Sequence, residues 1–172
     1  MTPCADFRGV AWGRRVAVEW MPKRQDRINR AGAAAKGGNM KDIAWSSILS
    51  VGVDEIDDDH RRLIAIFNEF NRAATCGESA DYLAATLTEL INCTVWHFSH
   101  EERLMLKHRY PAMVGHQAAH RELIDAALEW QAGLAQAGYA VAEGEIVFLD
   151  RWLTEHILTV DQRLGSFLAQ AT

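Results

Sequence analysis

The sequence has little of what builds disulfide-stabilised or membrane-spanning proteins. Its three cysteines, Cys4, Cys76 and Cys93, are odd in number and form no C-x-x-C pair. This usage argues against a disulfide framework and for a reducing compartment. No apolar run approaches the roughly 20 residues that a transmembrane helix needs. We therefore expect a cytoplasmic protein without a membrane span.

Basic charge is scarce outside the N-terminal segment. Residues 1–39 contain eight Lys/Arg and three Asp/Glu, a net charge of +5, whereas the remainder contains ten and twenty, a net charge of −10. An acidic main body argues against nucleic acid as the partner. Residues 1–39 also lack sustained apolar periodicity and include the run Gly-Ala-Ala-Ala-Lys-Gly-Gly. We predict a disordered extension over 1–39 and one domain over 40–172.

Apolar residues recur at three- and four-residue steps in four segments, and no strand-like alternation is present. This periodicity predicts four amphipathic helices. They run from Asp54–Asp58 to near Thr75, from a Ser79 cap to Tyr110-Pro111, from about 113 to 137, and from about 143 past 167. Asp54, Asp57 and Asp58 suit the N-cap and the positive end of the first helix dipole. Connections of roughly four to eight residues favour an all-α, antiparallel up-down four-helix bundle.

Histidines and carboxylates interrupt the inward apolar stripes of these helices. His97 and Glu101 are four residues apart, about one helical turn, so both side chains leave the same face. Burying such groups is costly unless something uses them. Short connections between antiparallel helices place the whole set toward one end of the bundle. The set is His60, His97, Glu101, His116, His120, His156 and Asp161.

Five histidines and two carboxylates are too many ligands for one metal ion. Imidazole suits iron, zinc and copper, and carboxylates can bridge hard cations. The chain has no H-E-x-x-H motif, which argues against a zinc protease. It also lacks the Glu-x-x-His pairs that ferritin-like di-iron proteins use. A histidine-ligated pair of irons is the centre that this set favours.

From Trp45 to about Phe167, the chain resembles the hemerythrin family, specifically a single-domain bacteriohemerythrin. The matching motifs are Asp57 with His60, His97-Phe98-x-x-Glu101-Glu102-x-x-Met105, Tyr110-Pro111, His116-x-x-x-His120, and Trp152-Leu153-x-x-His156-Ile157-x-x-x-Asp161. The resemblance implies reversible dioxygen binding at two iron ions joined by an oxo or hydroxo bridge. It does not extend to residues 1–39.

The resemblance also implies a role for each matching residue. One iron would be held by His116, His120 and His156, and the other by His60 and His97 with an open position. Glu101 and Asp161 would bridge the irons. Trp152, Leu153 and Ile157 would line the dioxygen pocket, although ordinary core packing also explains them.

Several nearby positions are harder to place from spacing alone. Asp161 follows His156 by five residues, about 140° around an ideal α-helix, so we expect it to reach in from the edge of the stripe. We expect Cys93 to be a small buried thiol rather than a ligand. Glu102 suits either a hydrogen-bond acceptor behind the ligands or a solvated charge. We interpret His100 and His108 as surface histidines, and Trp45, Trp96 and Trp130 as core or packing residues.

We therefore expect a monomer that binds dioxygen for storage, delivery or sensing, without turning over a substrate. An oxygen-using enzyme is the candidate protein partner. The competing class is an enzyme: a di-iron oxidase or peroxidase, or a nitric oxide or iron–sulfur repair protein of hemerythrin-like type. A third alternative is iron storage or buffering.

Overall fold

The computed structural model describes residues 42–171, and over that range the chain is helical without β-strands. The elements are α1 (Asp54–Cys76), α2 (Ala80–His108), α3 (Met113–Gln136), α4 (Glu143–His156), a π-helical turn (Ile157–Asp161) and α5 (Gln162–Ala171). The last three are continuous and form a single fourth rod. The predicted all-α class is confirmed. The predicted extension over 1–39 lies outside the described residues.

The first two helices end at residues with left-handed backbone conformation. α1 stops at Gly77, which has a φ of 74° and a backbone N–H that donates to carbonyls of the last turn. α2 begins at the predicted Ser79 cap, whose side chain accepts a hydrogen bond at 3.2 Å from the backbone N–H three residues further on. It ends at His108, earlier than predicted, because Arg109 adopts a φ of 55°. A left-handed residue cannot continue a right-handed helix.

The start of α1 differs from the prediction. Val53 occupies the N-cap position, and no aspartate side chain caps the helix. Asp57 is buried and accepts hydrogen bonds from the Ser50 hydroxyl at 2.5 Å and the Val51 backbone N–H at 2.8 Å. Its carboxylate therefore fastens the preceding loop to α1. Asp54 remains in the first turn, where the helix dipole favours a negative charge.

The same loop also packs on α5. The Gln162 side chain donates a hydrogen bond to the carbonyl oxygen of Ser50 at 2.8 Å. A Cβ atom at Gly165 would lie 2.1 Å from the carbonyl oxygen of Val51, so only glycine permits this approach. The loop thereby ties α1 to the fourth rod, the two segments that carry His60 and Asp161.

Most of the interior is apolar and drawn from all four rods. Trp130 is buried as predicted, with its ring 6.0 Å from that of Phe70 and 5.7 Å from that of Phe148. Trp96 is not a core residue, since it is 54% exposed. Cys93 is only partly buried. No helix within residues 42–171 is long and apolar enough to cross a bilayer.

Candidate metal centre

The seven histidines and carboxylates singled out by the sequence lie together inside the bundle. Their relative exposure ranges from 0% for Glu101 and Asp161 to 7% for His156. Each of the four rods contributes at least one member. The contributions are His60 from α1, His97 and Glu101 from α2, His116 and His120 from α3, and His156 with Asp161 from the fourth rod.

A local widening of the fourth rod explains how Asp161 reaches this cluster. The helix changes from α to π between Ile157 and Asp161 and returns to α at Gln162. Hydrogen bonds in a π-helix join residues five apart rather than four, so residues at that spacing share a face. Asp161 is fully buried, with its Oδ1 atom 3.0 Å from Nε2 of His156. The expected reach from the edge of the stripe is wrong, because the backbone itself turns Asp161 inward.

The ligand atoms form two adjoining groups. Within each group, one nitrogen or oxygen atom from every residue lies within 4.8 Å of all the others. Glu101 and Asp161 belong to both groups. One group adds His116, His120 and His156, and the other adds His60 and His97. This arrangement provides two potential metal positions that share two carboxylates.

Distances within the larger group match those between neighbouring ligands of one ion. Oε2 of Glu101 lies 3.1 Å from Nε2 of His120 and 3.3 Å from Nε2 of His116. Oδ1 of Asp161 lies 3.2 Å from the same His116 nitrogen. Two ligand atoms each about 2.1 Å from a cation, at right angles, are about 3 Å apart.

Several of these buried atoms have no hydrogen-bond partner although their neighbours are close. The atoms without a partner include both oxygens of Asp161 and the Nε2 atoms of His60, His116 and His156. Nε2 of His60, for example, lies 3.3 Å from Oδ2 of Asp161 without forming a hydrogen bond. Unpaired buried polar atoms are rare in native proteins and costly. Atoms that converge without bonding one another fit a common metal ion, so the cluster passes this test of fit.

The electrostatics of the metal-free cluster also favour cations. Burial and the nearby charge of Asp161 raise the pKa of Glu101 to about 8. Although burial opposes it, contact with Asp161 and Glu101 raises the pKa of His116 to about 9. Despite burial, the imidazole of His156 and contacts with His116 and His60 hold the pKa of Asp161 well below its usual range. Since the pKa values of Glu101 and His116 are raised, metal ions would compete with protons for these two groups.

His120 has the opposite electrostatic setting. Burial, together with the imidazole of His156, lowers the pKa of His120 to about 2. Its ring stacks on Phe98 with centroids 3.7 Å apart. A neutral imidazole of fixed orientation is the form that binds a metal ion.

Two carboxylates lie behind the cluster and contact its histidines from outside. Oε1 of Glu102 lies 3.2 Å from Nδ1 of His120, and its other oxygen accepts a hydrogen bond from Gln117 at 2.9 Å. Glu102 thus contacts a histidine of the cluster and is not a free surface charge. Oδ2 of Asp59 lies 3.4 Å from Nδ1 of His97. Such contacts fix the orientation of metal-binding histidines.

The interpretation of His100 as a surface histidine is wrong. Its side chain is 16% exposed, and its Nδ1 atom lies 2.7 Å from Oδ2 of Asp59. The sequence contains a usable signal for this contact. His100 follows His97 by three residues on the same helix, and Asp59 directly precedes His60. Residues adjacent to ligands at helical spacing are natural neighbours of those ligands.

A small cavity lies beside the group that contains His60 and His97. Its volume is about 10 Å³, close to the space that one water molecule needs. Trp152, Leu153 and Ile157, the residues predicted to line a dioxygen pocket, are all in its wall. The rest of the wall consists of His60, Leu63, Thr94, His97, Phe98, Leu123, His156 and Asp161.

The polar groups of Trp152 and Thr94 in this wall already donate hydrogen bonds to backbone carbonyl oxygens. The Trp152 indole N–H donates a hydrogen bond to the carbonyl oxygen of Leu123 at 3.0 Å. The Thr94 hydroxyl donates to the carbonyl oxygen of Leu90, one turn earlier, at 2.9 Å. The cavity therefore offers a small ligand imidazole and carboxylate groups on one side and apolar surface on the other.

Four helical rods surrounding two adjoining sets of buried imidazoles and carboxylates define a histidine-rich, metal-binding helical bundle. Comparison with known families agrees with this class. The Hemerythrin HHE cation binding domain matches residues 51–168. The chain belongs to the hemerythrin family, which confirms the resemblance seen in its motifs.

Individual relatives extend over most of the domain. The chain is 32% identical over 120 residues to a bacteriohemerythrin of Stenotrophomonas maltophilia, covering 70% of this chain and 77% of that one. It is 31% identical over 118 residues to a myohemerythrin of Riftia pachyptila, covering 68% and 86%. The crystal structure of wild-type hemerythrin is similar with a TM-score of 0.66 and 29% identity, covering 74% and 98%.

Proposed function

We propose that this protein is a non-haem di-iron protein that binds dioxygen reversibly. The observation that carries the proposal is the convergence of buried, unpaired ligand atoms into two groups that share Glu101 and Asp161. Membership of the hemerythrin family and the names of its relatives support iron as the metal. Reversible binding of this kind serves storage, delivery or sensing.

The two groups support one ligand set for each iron. His116, His120 and His156 would hold one iron, and His60 with His97 the other, while Glu101 and Asp161 would bridge them. The second group has one imidazole fewer, and His60 and His97 both line the cavity. When bound, a pair of ferrous ions supplies two electrons and an open coordination position for dioxygen. Because one group has three imidazoles and the other has two, we expect that position beside His60 and His97.

The protein's own contribution is a closed apolar wall beside the open position. Trp152 and Leu153 are 2% and 4% exposed, and Ile157 is 1% exposed. These side chains exclude water from bound dioxygen. The dioxygen can then dissociate unchanged, because no water reaches it to protonate or displace it. Because Trp152 is held by its hydrogen bond to Leu123, the wall has a defined shape.

The size of the cavity favours binding over turnover of a larger substrate. At about 10 Å³, close to the space that one water molecule needs, the cavity is too small for an organic molecule. An oxidase acting on such a substrate would need a wider approach to the metals. A peroxidase or a nitric oxide repair activity makes no such demand, and the experiment below separates a peroxidase from a carrier.

We also infer the antiparallel up-down order of the four rods. The connections span only residues 77–79, 109–112 and 137–142. The candidate ligands lie early in α1, late in α2, early in α3 and around the middle of the fourth rod. A residue early in one helix and a residue late in the next lie at the same level of the bundle when the two helices run in opposite directions.

The deciding experiment uses the full chain, loaded with iron, reduced, exposed to dioxygen and then deoxygenated. We expect about two irons per chain and a visible absorption that appears with dioxygen and disappears on its removal. His97→Ala should abolish the signal, whereas His108→Ala, in the same helix but outside the cluster, should preserve it. One iron per chain, stoichiometric zinc after native expression, or rapid turnover of peroxide would contradict the proposal.

A further inference from the structure

A chain of polar side chains leads from the surface between α1 and α2 to His97. Oδ2 of Asp59 lies 2.7 Å from Nδ1 of His100 and 3.4 Å from Nδ1 of His97. Nε2 of His100 in turn lies 3.4 Å from Oε2 of Glu55, whose side chain is 55% exposed. The described contacts therefore join a surface carboxylate to a cluster histidine through a second imidazole.

The geometry around Asp59 determines which ring atoms donate. An ionised carboxylate can only accept hydrogen bonds, so Nδ1 of both histidines must carry the hydrogen. His97 then presents a free lone pair on Nε2, the atom on the side of Glu101 at 3.8 Å. The orientation of Asp59 thus decides whether His97 is ready to bind a cation. Between its two donors, His100 makes the much shorter contact.

His100 is itself held in place from outside. The exposed ring of Trp96, one turn earlier on α2, lies 5.4 Å from the His100 ring. Glu55 and Asp59 are one turn apart on α1, so they meet opposite sides of the same imidazole. Trp96 therefore packs over the outer side of His100 rather than in the core.

At the other potential metal position, the carboxylate that contacts the histidine from outside has a different second partner. There, Nδ1 of His120 contacts Glu102, and the second partner of Glu102 is the amide of Gln117 rather than an imidazole. The side chain of Glu102 is 32% exposed, whereas that of Asp59 is 12% exposed. The more enclosed carboxylate therefore serves the position that faces the cavity.

We propose that His100 is a positioning residue that acts through Asp59 to hold the His97 imidazole with Nε2 toward the metal centre. It belongs to neither group of potential metal ligands, and its contact with Asp59 is the link to His97. Without it, Asp59 has lost its closest partner and can turn toward solvent, which leaves His97 free to change its tautomer or its ring orientation. The proposal rests on the proposed metal binding by His97, but its first test does not need metal.

The test compares substitutions of His100 in the full chain. His100→Phe keeps a ring but removes both nitrogens. His100→Asn keeps an amide donor close to the place of Nδ1, and His100→Gln moves the amide toward the place of Nε2. His108→Phe is the control for losing a histidine elsewhere on α2.

The first measurement is nitrogen NMR of the metal-free protein. In the parent and in His100→Asn, His97 should show a single tautomer with the hydrogen on Nδ1. In His100→Phe and His100→Gln, we expect a mixture of tautomers at His97. The second measurement is iron release, which should be about tenfold faster from one of the two positions in those two variants. His108→Phe should change neither result.

Different outcomes separate this proposal from the proposed function. An unchanged His97 tautomer in His100→Phe and His100→Gln would overturn the positioning role, and His100 would be a packing residue. If the parent protein holds no iron while the tautomer still depends on His100, the positioning role survives and the proposed function fails. If His100→Phe does not fold, the Asn and Gln variants decide, because they differ only in where the donor lies.

Discussion

Two parts of the same core have opposite chemical composition, one apolar and one polar. Around Trp130, Phe70 and Leu87, the interior is apolar, and these side chains are 3% exposed or less. Around Glu101 and Asp161, the interior is as deeply buried but is built from imidazoles and carboxylates. Both parts are formed by the same four rods, so the contrast comes from side-chain chemistry alone.

The contrast shows how a bundle can accommodate a site that opposes its stability. Burying apolar side chains contributes roughly 25 cal/mol per Å², so the apolar part stabilises the fold without help. Buried polar atoms without hydrogen bonds cost about 1–3 kcal/mol each, so the polar part lowers stability until metal binds. We infer that the apolar part holds the polar part in place, and the predictions below test this division, largest effect first.

Metal loading should produce the largest change. Because metal binds the folded cluster, each occupied position stabilises by ~4 kcal/mol at a free iron concentration 1,000 times its Kd. Urea unfolding of the chelated and the iron-loaded full chain measures this difference. Restoring iron after chelation is the control, and equal midpoints for the two forms would show that the polar part does not depend on metal.

Phe70→Ala should destabilise both forms equally. Phe70 is completely buried in the apolar part, and removing such a ring costs ~3–5 kcal/mol. Since the change leaves every ligand in place, the loss should be the same with and without iron. Unfolding curves of both forms provide the measurement. A loss seen only in the iron-loaded form would mean that the two parts are strongly coupled.

Leu153→Ala lies at the boundary between the two parts. The cavity left by this buried side chain should cost ~2–5 kcal/mol, and opening the wall should let solvent reach the bound ligand. We expect two irons to remain but the oxygenated form to decay to the ferric state faster in air. Leu87→Ala is the matched control, since Leu87 is fully buried outside the cavity wall. Equal decay rates for both variants would make Leu153 an ordinary core residue.

His60→Leu should have the smallest effect on stability and a clear effect on metal content. Neither ring nitrogen of His60 has a hydrogen-bond partner, so leucine removes a burial cost while losing the attraction to Asp161. We expect metal-free stability to change by less than ~1 kcal/mol and iron content to fall to about one per chain. His108→Leu should keep both irons. A large loss of metal-free stability would show that His60 is structural.

The sequence predicts helix ends well where the end depends only on neighbouring residues. The Ser79 cap and the Gly77 stop were visible in the sequence because capping involves only neighbouring residues. Asp57 was harder, since a carboxylate near a helix start can cap the helix or bind a loop. The choice between these depended on Ser50 and Val51, which only the folded chain brings to it.

Long-range contacts explain the other misplaced residues. His100 lies on α2 and its partner Asp59 on α1, 41 residues away. Helical spacing indicates that each lies beside a member of the cluster, but only the packing of α1 against α2 brings the two side chains into contact. The same uncertainty affected Trp96, a large aromatic side chain whose type alone favours burial but which is exposed.

The sequence by itself determined the four helical segments and the seven ligand candidates, because apolar periodicity and costly buried polar groups are properties of residue order. Only the tertiary structure decided how Asp161 joins them. A spacing of five conflicts with an α-helix, and the packed core resolves the conflict by widening one turn from Ile157 to Asp161. Of the imidazoles that contact Asp161, His156 lies in the same rod, whereas His60 and His116 come from α1 and α3, so no segment read alone contains the whole set.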